Sequence, residues 1–274
     1  MTQRSAGDGE TLAIRTTDLS RRFGDYLAVD RLDLRVRKGT VFGLLGPNGA
    51  GKSTTVKMLT TLLPPTSGRA SVGGFDIVAQ ARAVRGCIGY VPQMLSADGA
   101  LTGRENLRLS AALYAMNAAE AGARIVEALE FMGLAEFGDR LVKTYSGGMI
   151  RRLELAQAML HRPAILFLDE PTIGLDPTAR HSVWERLIEL RDRFGVTILL
   201  TTHDMDEADA LCSELAILHR GKVAVTGRPD ELKASVGPEA TLDDVFERYS
   251  GGAIEDSGSY TDVRKTRATV RRLG

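Results

Sequence analysis

An α/β fold is predicted, with a β-rich N-terminal part, a parallel α/β core and a helical segment inserted in that core. Three observations predict it. The short apolar runs TVFGLLG, AILFL and VTILLTTH leave no polar face for solvent and read as strands buried on both sides. The helical pattern ARHSVWERLIELRDRFG separates the last two, which is the alternation of a parallel sheet. Between the first and second runs, a stretch of about residues 94–162 carries apolar residues at helical spacing.

Residues 11–45 read as strands, because LDLRVR alternates Leu32, Leu34 and Val36 against Asp33, Arg35 and Arg37. TVFGLLG follows as a more buried strand, then a glycine-rich loop, then a helix from about Lys52. Near residue 100 the texture changes. Thr102 and Glu105 have capping-box spacing, and Ala121, Ile125, Leu129 and Met132 share one helical face that ends at Gly133. TYSGGMIRRLELAQAML is a further helix, capped by Ser146, whose first turn carries Gly147 and Gly148. Glycine inside a helix costs roughly 0.5–1 kcal/mol relative to alanine. Two of them leave the terminal N–H groups uncovered, and with the helix dipole they form an anion site. LAILHRGKVAVTG reads as a hairpin turning at Arg220 and Gly221.

The organisation expected is a flexible N-terminus at 1–10, one domain at 11–229 with its helical subdomain at about 94–162, a helical appendix at 230–250 and a basic, flexible tail at 251–274. The tail's Arg264, Lys265, Arg267, Arg271 and Arg272 suit a solvated segment, or contact with anionic lipid or a membrane protein's loop. Lys plus Arg and Asp plus Glu balance at 35 each, so no nucleic-acid partner is expected. Cys87 and Cys212 match no metal spacing and suit a reducing compartment. The polar start has no secretory signal, and no apolar run approaches the roughly 20 residues of a membrane helix.

The chemistry concentrates at strand ends. GPNGAGKST, from Gly46 through Pro47, Asn48, Gly49, Ala50, Gly51, Lys52 and Ser53 to Thr54, lies between a strand and a helix, the setting of a phosphate-binding P-loop. Its glycines let backbone N–H groups surround the α- and β-phosphates, while Lys52 reaches the β/γ oxygens and Ser53 ligates Mg²⁺. AILFLDEP delivers two carboxylates to the same edge of the sheet. Asp169 is expected to order the Mg²⁺, and Glu170 to act as general base on the attacking water or to polarise it. His203 ends the next strand in the same manner, as a further catalytic candidate.

These motifs, in this order, resemble the ATP-binding-cassette (ABC) ATPases over about residues 11–229. The resemblance rests on Phe23, Gly46–Thr54, Gln93 in YVPQ, YSGGM at 145–149, ILFLDE with GLDP at 174–177, and His203. It implies the ABC type of P-loop NTPase and ATP with Mg²⁺ as ligands. It also implies adenine stacking on Phe23, with Tyr26 the next candidate, and Gln93 sensing Mg²⁺ and the γ-phosphate while linking to a membrane partner. Ser146, Gly147, Gly148 and Met149 would face the γ-phosphate held by the P-loop of a second copy, with Asp176 in the loop crossing between protomers. One set of motifs per chain then implies a two-fold dimer around two ATP molecules.

The family's usual leucine and glutamine beside Ser-Gly-Gly are Tyr145 and Met149 here, which leaves the serine hydroxyl and the glycine N–H groups in place. This variant, with RRLELA, TLDDVFERYSG and the arginine-rich end, resembles the daunorubicin-resistance subgroup. The resemblance implies an ATPase that drives a separate integral-membrane permease in multidrug or antibiotic export, placed in the cytoplasm on the inner face of the membrane. A soluble ABC ATPase serving as an assembly or scaffold factor is the alternative.

Overall fold

The computed structural model describes residues 11–250, so the expectations for 1–10 and for the tail at 251–274 lie outside the described residues. The chain opens with β1 (Leu12–Phe23), β2 (Tyr26–Leu32), β3 (Arg35–Arg37), β4 (Val41–Leu45) and α1 (Lys52–Leu59). There follow β5 (Ser67–Val72), β6 (Phe75–Asp76), α2 (Ala81–Cys87), β7 (Ile88–Val91), α3 (Gly103–Leu113), α4 (Ala118–Phe131) and α5 (Gly147–Met159). The last third is β8 (Ile165–Asp169), α6 (Pro177–Phe194), β9 (Thr197–Thr202), α7 (Met205–Leu211), β10 (Glu214–His219), β11 (Lys222–Gly227), α8 (Pro229–Val236) and α9 (Leu242–Ser250).

Two sheets divide these strands. The first runs β2-β1-β5-β6, antiparallel, with β3 also on β1. The second runs β11-β10-β4-β9-β8-β7, parallel except for the antiparallel edge strand β11. β4, β8 and β9 are buried throughout, as their apolar runs predict. Period-2 alternation assigns their side chains to two cores. Phe42, Leu44, Phe167 and Leu199 fill a core shared with the antiparallel sheet and α1. Val41, Leu45, Leu166, Leu168, Ile198 and Leu200 fill a second core with residues of α3 to α9. Each such side chain contributes about 1.5–3 kcal/mol over leaving it in water, so polar alternation in these strands would weaken one of the cores.

The helical middle forms as its caps dictate. Thr102 and Glu105 close a full capping box on α3, and Asn117 caps α4 by accepting from the Glu120 N–H. Ile125, Leu129 and Met132 are buried. The strands and helix between residues 60 and 92, by contrast, had no reading in sequence. β5 is SGRASV, largely exposed, and its pairing with β1 rests on backbone hydrogen bonds that side-chain alternation does not announce. Cys212 is buried and Cys87 half-buried, with burial raising both thiols above their usual range.

The costly glycines of α5 have a packing cause as well as any chemical one. A Cβ on Gly148 would lie 2.8 Å from the Cβ of Ala179 at the start of α6, closer than side chains approach. Glycine at 148 lets the two helices meet. At Gly147 the nearest atom to a Cβ is the flexible tip of Leu175, at 3.2 Å. Gly148→Ala is therefore expected to destabilise the fold by about 1–3 kcal/mol through overpacking, and Gly147→Ala by less. Urea unfolding of the two variants side by side checks this, and equal midpoints would contradict it.

Candidate nucleotide site

The P-loop connects β4 to α1, and its shape is set by backbone that only glycine accepts easily. Gly51 has φ 102°, and a Cβ there would lie 2.6 Å from the carbonyl of Ala28 on β2. The loop thus seats directly against the antiparallel sheet. A cavity of about 170 Å³ opens over it, lined by residues 47–54 with Tyr26, Ala28, Gln93 and Glu170.

Four of the predicted residues meet beneath that cavity. Lys52 Nζ donates to the carbonyls of Gly46 at 2.7 Å and Pro47 at 3.3 Å. It also pairs with Glu170 Oε1 at 3.2 Å, both side chains being buried. Ser53 Oγ donates to Asp169 Oδ1 at 2.9 Å. Both carboxylates reach this edge because β8 ends there, in register beside β9.

Glu170 sits just past the strand with φ 51°, a strained value for a non-glycine residue. Its N–H donates to the backbone carbonyl of Thr201 at 3.1 Å and to Thr201 Oγ1 at 3.0 Å, which hold the turn. The same Thr201 hydroxyl donates to Asp169 Oδ1 at 2.6 Å. Thr201 thus positions both carboxylates, a role sequence reasoning missed. The available signal was its place opposite Asp169 in the parallel register. His203 Nδ1 lies 2.6 Å from Glu170 Oε2, so the geometry brings histidine and glutamate together as their strand-end positions suggest. Both carboxylate oxygens of Glu170 are thereby engaged, one by Lys52 and one by His203. Tyr90 on β7 stays protonated, its phenol pushed up to about 12 by burial and then by the Asp169 carboxylate.

The remaining candidates fall in four places. Phe23 pairs with Tyr26 across the β1–β2 hairpin, so both share one face of the sheet. Tyr26 lines the cavity and donates to the Gly49 carbonyl at 3.3 Å, whereas Phe23 carries the Arg21 guanidinium 4.6 Å from its ring centre. Gln93 is exposed and lines the cavity beyond the end of β7. Ser146, Gly147, Gly148 and Met149 do not line it. They open α5, where Ser146 Oγ accepts from the Met149 N–H at 3.3 Å, and the hydroxyl proton remains available to donate. Asp176 caps α6 by accepting from the Ala179 N–H at 2.9 Å, with Pro177 at the first helical position. Tyr145 turns inward and donates to the Phe137 carbonyl at 2.6 Å, so this departure from the usual leucine is a packing feature.

The donor set suits a hard cation. Ser53 and Asp169 offer oxygen ligands, and among the described residues no group of three or more His, Cys, Asp or Glu could hold a metal alone. Mg²⁺ is characteristically bound by one or two such oxygens together with substrate phosphates and water.

A parallel sheet with a P-loop, a strand-end carboxylate pair and a histidine on the second carboxylate defines a P-loop ATPase. Residues 29–173 match the profile of the ABC transporter family. The daunorubicin resistance ATP-binding protein DrrA3 of Streptomyces coeruleorubidus is 47% identical over 239 residues, covering 87% of this chain and 75% of the relative. The Nod factor export ATP-binding protein I of Sinorhizobium fredii is 44% identical, covering 89% and 70%. A solved ATP-binding subunit of an ABC transporter superposes with a TM-score of 0.77 at 32% identity, covering 88% of this chain and all of that one. A dimeric ATP-binding cassette with ADP and Pi, in a post-hydrolysis state, superposes with a TM-score of 0.70 at 25% identity, covering 78% and 98%. The chain belongs to the ABC transporter family, as an ATP-hydrolysing nucleotide-binding subunit similar to those of the daunorubicin-resistance subgroup.

Proposed function

We propose that this subunit closes as a two-fold dimer around two ATP molecules and drives a separate membrane permease that exports a hydrophobic drug or antibiotic. It then works in the cytoplasm, on the inner face of the membrane. Among the described residues no helix is long and apolar enough to cross a membrane, so the reading needs a docking surface for a membrane partner. The observation that carries it is an exposed apolar face beside Gln93. Met94 and Leu95 follow the glutamine directly and are 82% and 54% exposed, while Leu109 and Leu113 on α3 are 51% and 79% exposed. The two segments are tied together. Asn106 of α3 accepts from the Asp98 N–H at 2.9 Å and donates to the Asp98 carbonyl at 3.0 Å. Exposed apolar clusters of this kind suit a protein partner.

In the chemical step, the triphosphate lies along the P-loop N–H groups, with adenine stacked at the hairpin that carries Phe23 and Tyr26. Lys52 turns from Glu170 to the β/γ oxygens. That frees one Glu170 oxygen to orient water and take its proton, while His203 holds the other. Ser53 and Asp169 would hold Mg²⁺, which would supply charge neutralisation at the phosphates. Ser146 and the N–H groups of Gly147 and Gly148 meet the γ-phosphate from the partner protomer, with Met149 beside them and Asp176 in the crossing loop.

Leu113→Asp tests the docking surface. The isolated variant is expected to hydrolyse ATP as the wild type does, because no residue of α3 lines the nucleotide cavity. It should fail to co-purify with its membrane permease and to support drug efflux from cells expressing both. Undiminished efflux would remove the support for this surface.

A further inference from the structure

Arg151 is the largest fully buried side chain among the described residues, and it lies on α5, a helix whose cap Ser146 and first residue Gly147 are exposed. Its Nη1 pairs with Glu154 Oε2 at 3.0 Å, each side chain being about 2% exposed or less. Burying an ion pair is seldom the most stabilising choice, since apolar residues of the same volume often do as well. The remaining bonds of this pair all go to one short segment. Arg151 Nη1 donates to the Pro92 carbonyl at 2.8 Å, and Nη2 donates to the Gln93 carbonyl at 3.0 Å. Glu154 Oε1 accepts from the Ser96 N–H and, at 3.0 Å, from Ser96 Oγ. The backbone on both sides of the Gln93 side chain is therefore held by α5, whereas β7 just before it belongs to the parallel sheet.

We propose that Arg151 and Glu154 are positioning residues for Gln93: their buried pair locks residues 92–96 onto α5, so that Gln93 moves with the first turn of that helix. Contact of the Ser146–Gly148 turn with a phosphate then sets where Gln93 stands over the P-loop, and one event places both groups. Guanidinium geometry is essential, because its fork reaches two successive carbonyls and a carboxylate at once, which a single ammonium does not. The inference rests on the reading of Gln93 as a residue that acts on the bound nucleotide.

A substitution cycle on the full chain tests it, with turnover, ATP affinity and amide exchange as readouts. Arg151→Lys keeps the charge beside Glu154 and is expected to leave ATP affinity unchanged while lowering turnover about tenfold, a coupling typical of groups in one network. In a Gln93→Ala background the same change should cost nothing further. Should Arg151→Lys not fold, Arg151→Met with Glu154→Leu removes both charges together and keeps the volume. That pair is expected to speed hydrogen–deuterium exchange at the Ser96 amide in the absence of nucleotide, and to lower turnover likewise. Losses that multiply with Gln93→Ala, wild-type turnover in these variants, or a Ser96 amide that stays protected would overturn the proposal alone. Wild-type turnover in Gln93→Ala by itself would overturn the role read for Gln93, and the proposal with it.

Discussion

Glu170→Gln is expected to reduce steady-state ATP hydrolysis by about 10²–10⁴-fold, the range a general base contributes, while ATP binding persists. The amide keeps the volume of the carboxylate and one acceptor oxygen, so the turn held by Thr201 survives. It cannot take a proton from water, and it no longer neutralises Lys52, which is then free to meet phosphate. Lys52, Ser53 and Asp169 are untouched, and they are the groups proposed to face the triphosphate and its cation. Because ATP bridges the two protomers in the proposed dimer, a variant that binds but does not hydrolyse should accumulate the closed dimer. Size-exclusion at micromolar protein with ATP and Mg²⁺ reads this directly. A monomer under those conditions would remove the main support for the sandwich arrangement, and turnover near that of the wild type would withdraw the role given to Glu170.

How far the sequence disclosed this site follows from how local each feature is. Lys52 and Ser53 were legible because a P-loop is contiguous, and its strand and helix flanks could be read from apolar runs. Asp169, Glu170 and His203 were legible because buried parallel strands end at one edge, so residues just past two such runs must come together. Thr201 was not, since a threonine inside an apolar strand looks like a β-former until the register places it opposite Asp169. Arg151 and Glu154 escaped for a related reason. Charged residues on a helix are ordinarily solvated, and only the fold shows these two 2% exposed against the loop after β7. Gly148 was read by its chemistry alone, while the contact with Ala179 that demands it joins residues 31 positions apart. What sequence concealed was thus the non-local half of each feature.

That contact also decides how the shared site should be tested. A substitution at Gly148 would disturb the packing of α5 on α6, so Gly147, exposed and facing only the tip of Leu175, is the cleaner place for a charge. Gly147→Asp puts a carboxylate where the partner's γ-phosphate is proposed to approach, and it should block hydrolysis without touching the chain's own P-loop. Lys52→Ala does the reverse: it removes the buried ammonium proposed to meet the β/γ oxygens, and ATP binding should fail with it. Neither variant alone can assemble a working site. In a mixed dimer, the P-loop of the Gly147→Asp chain faces the intact helix start of the Lys52→Ala chain, and that one site is whole. With random pairing, half of the dimers at equal amounts are mixed and each has one working site, so hydrolysis should peak at about a quarter of the wild-type rate. Turnover measured at fixed total protein across mixing ratios gives the curve, and differently tagged chains confirm that mixed dimers form. A flat line with mixed dimers present would mean that Ser146–Met149 do not complete a neighbour's site independently of the second one, and the assignment of this turn to the partner's phosphate would be withdrawn.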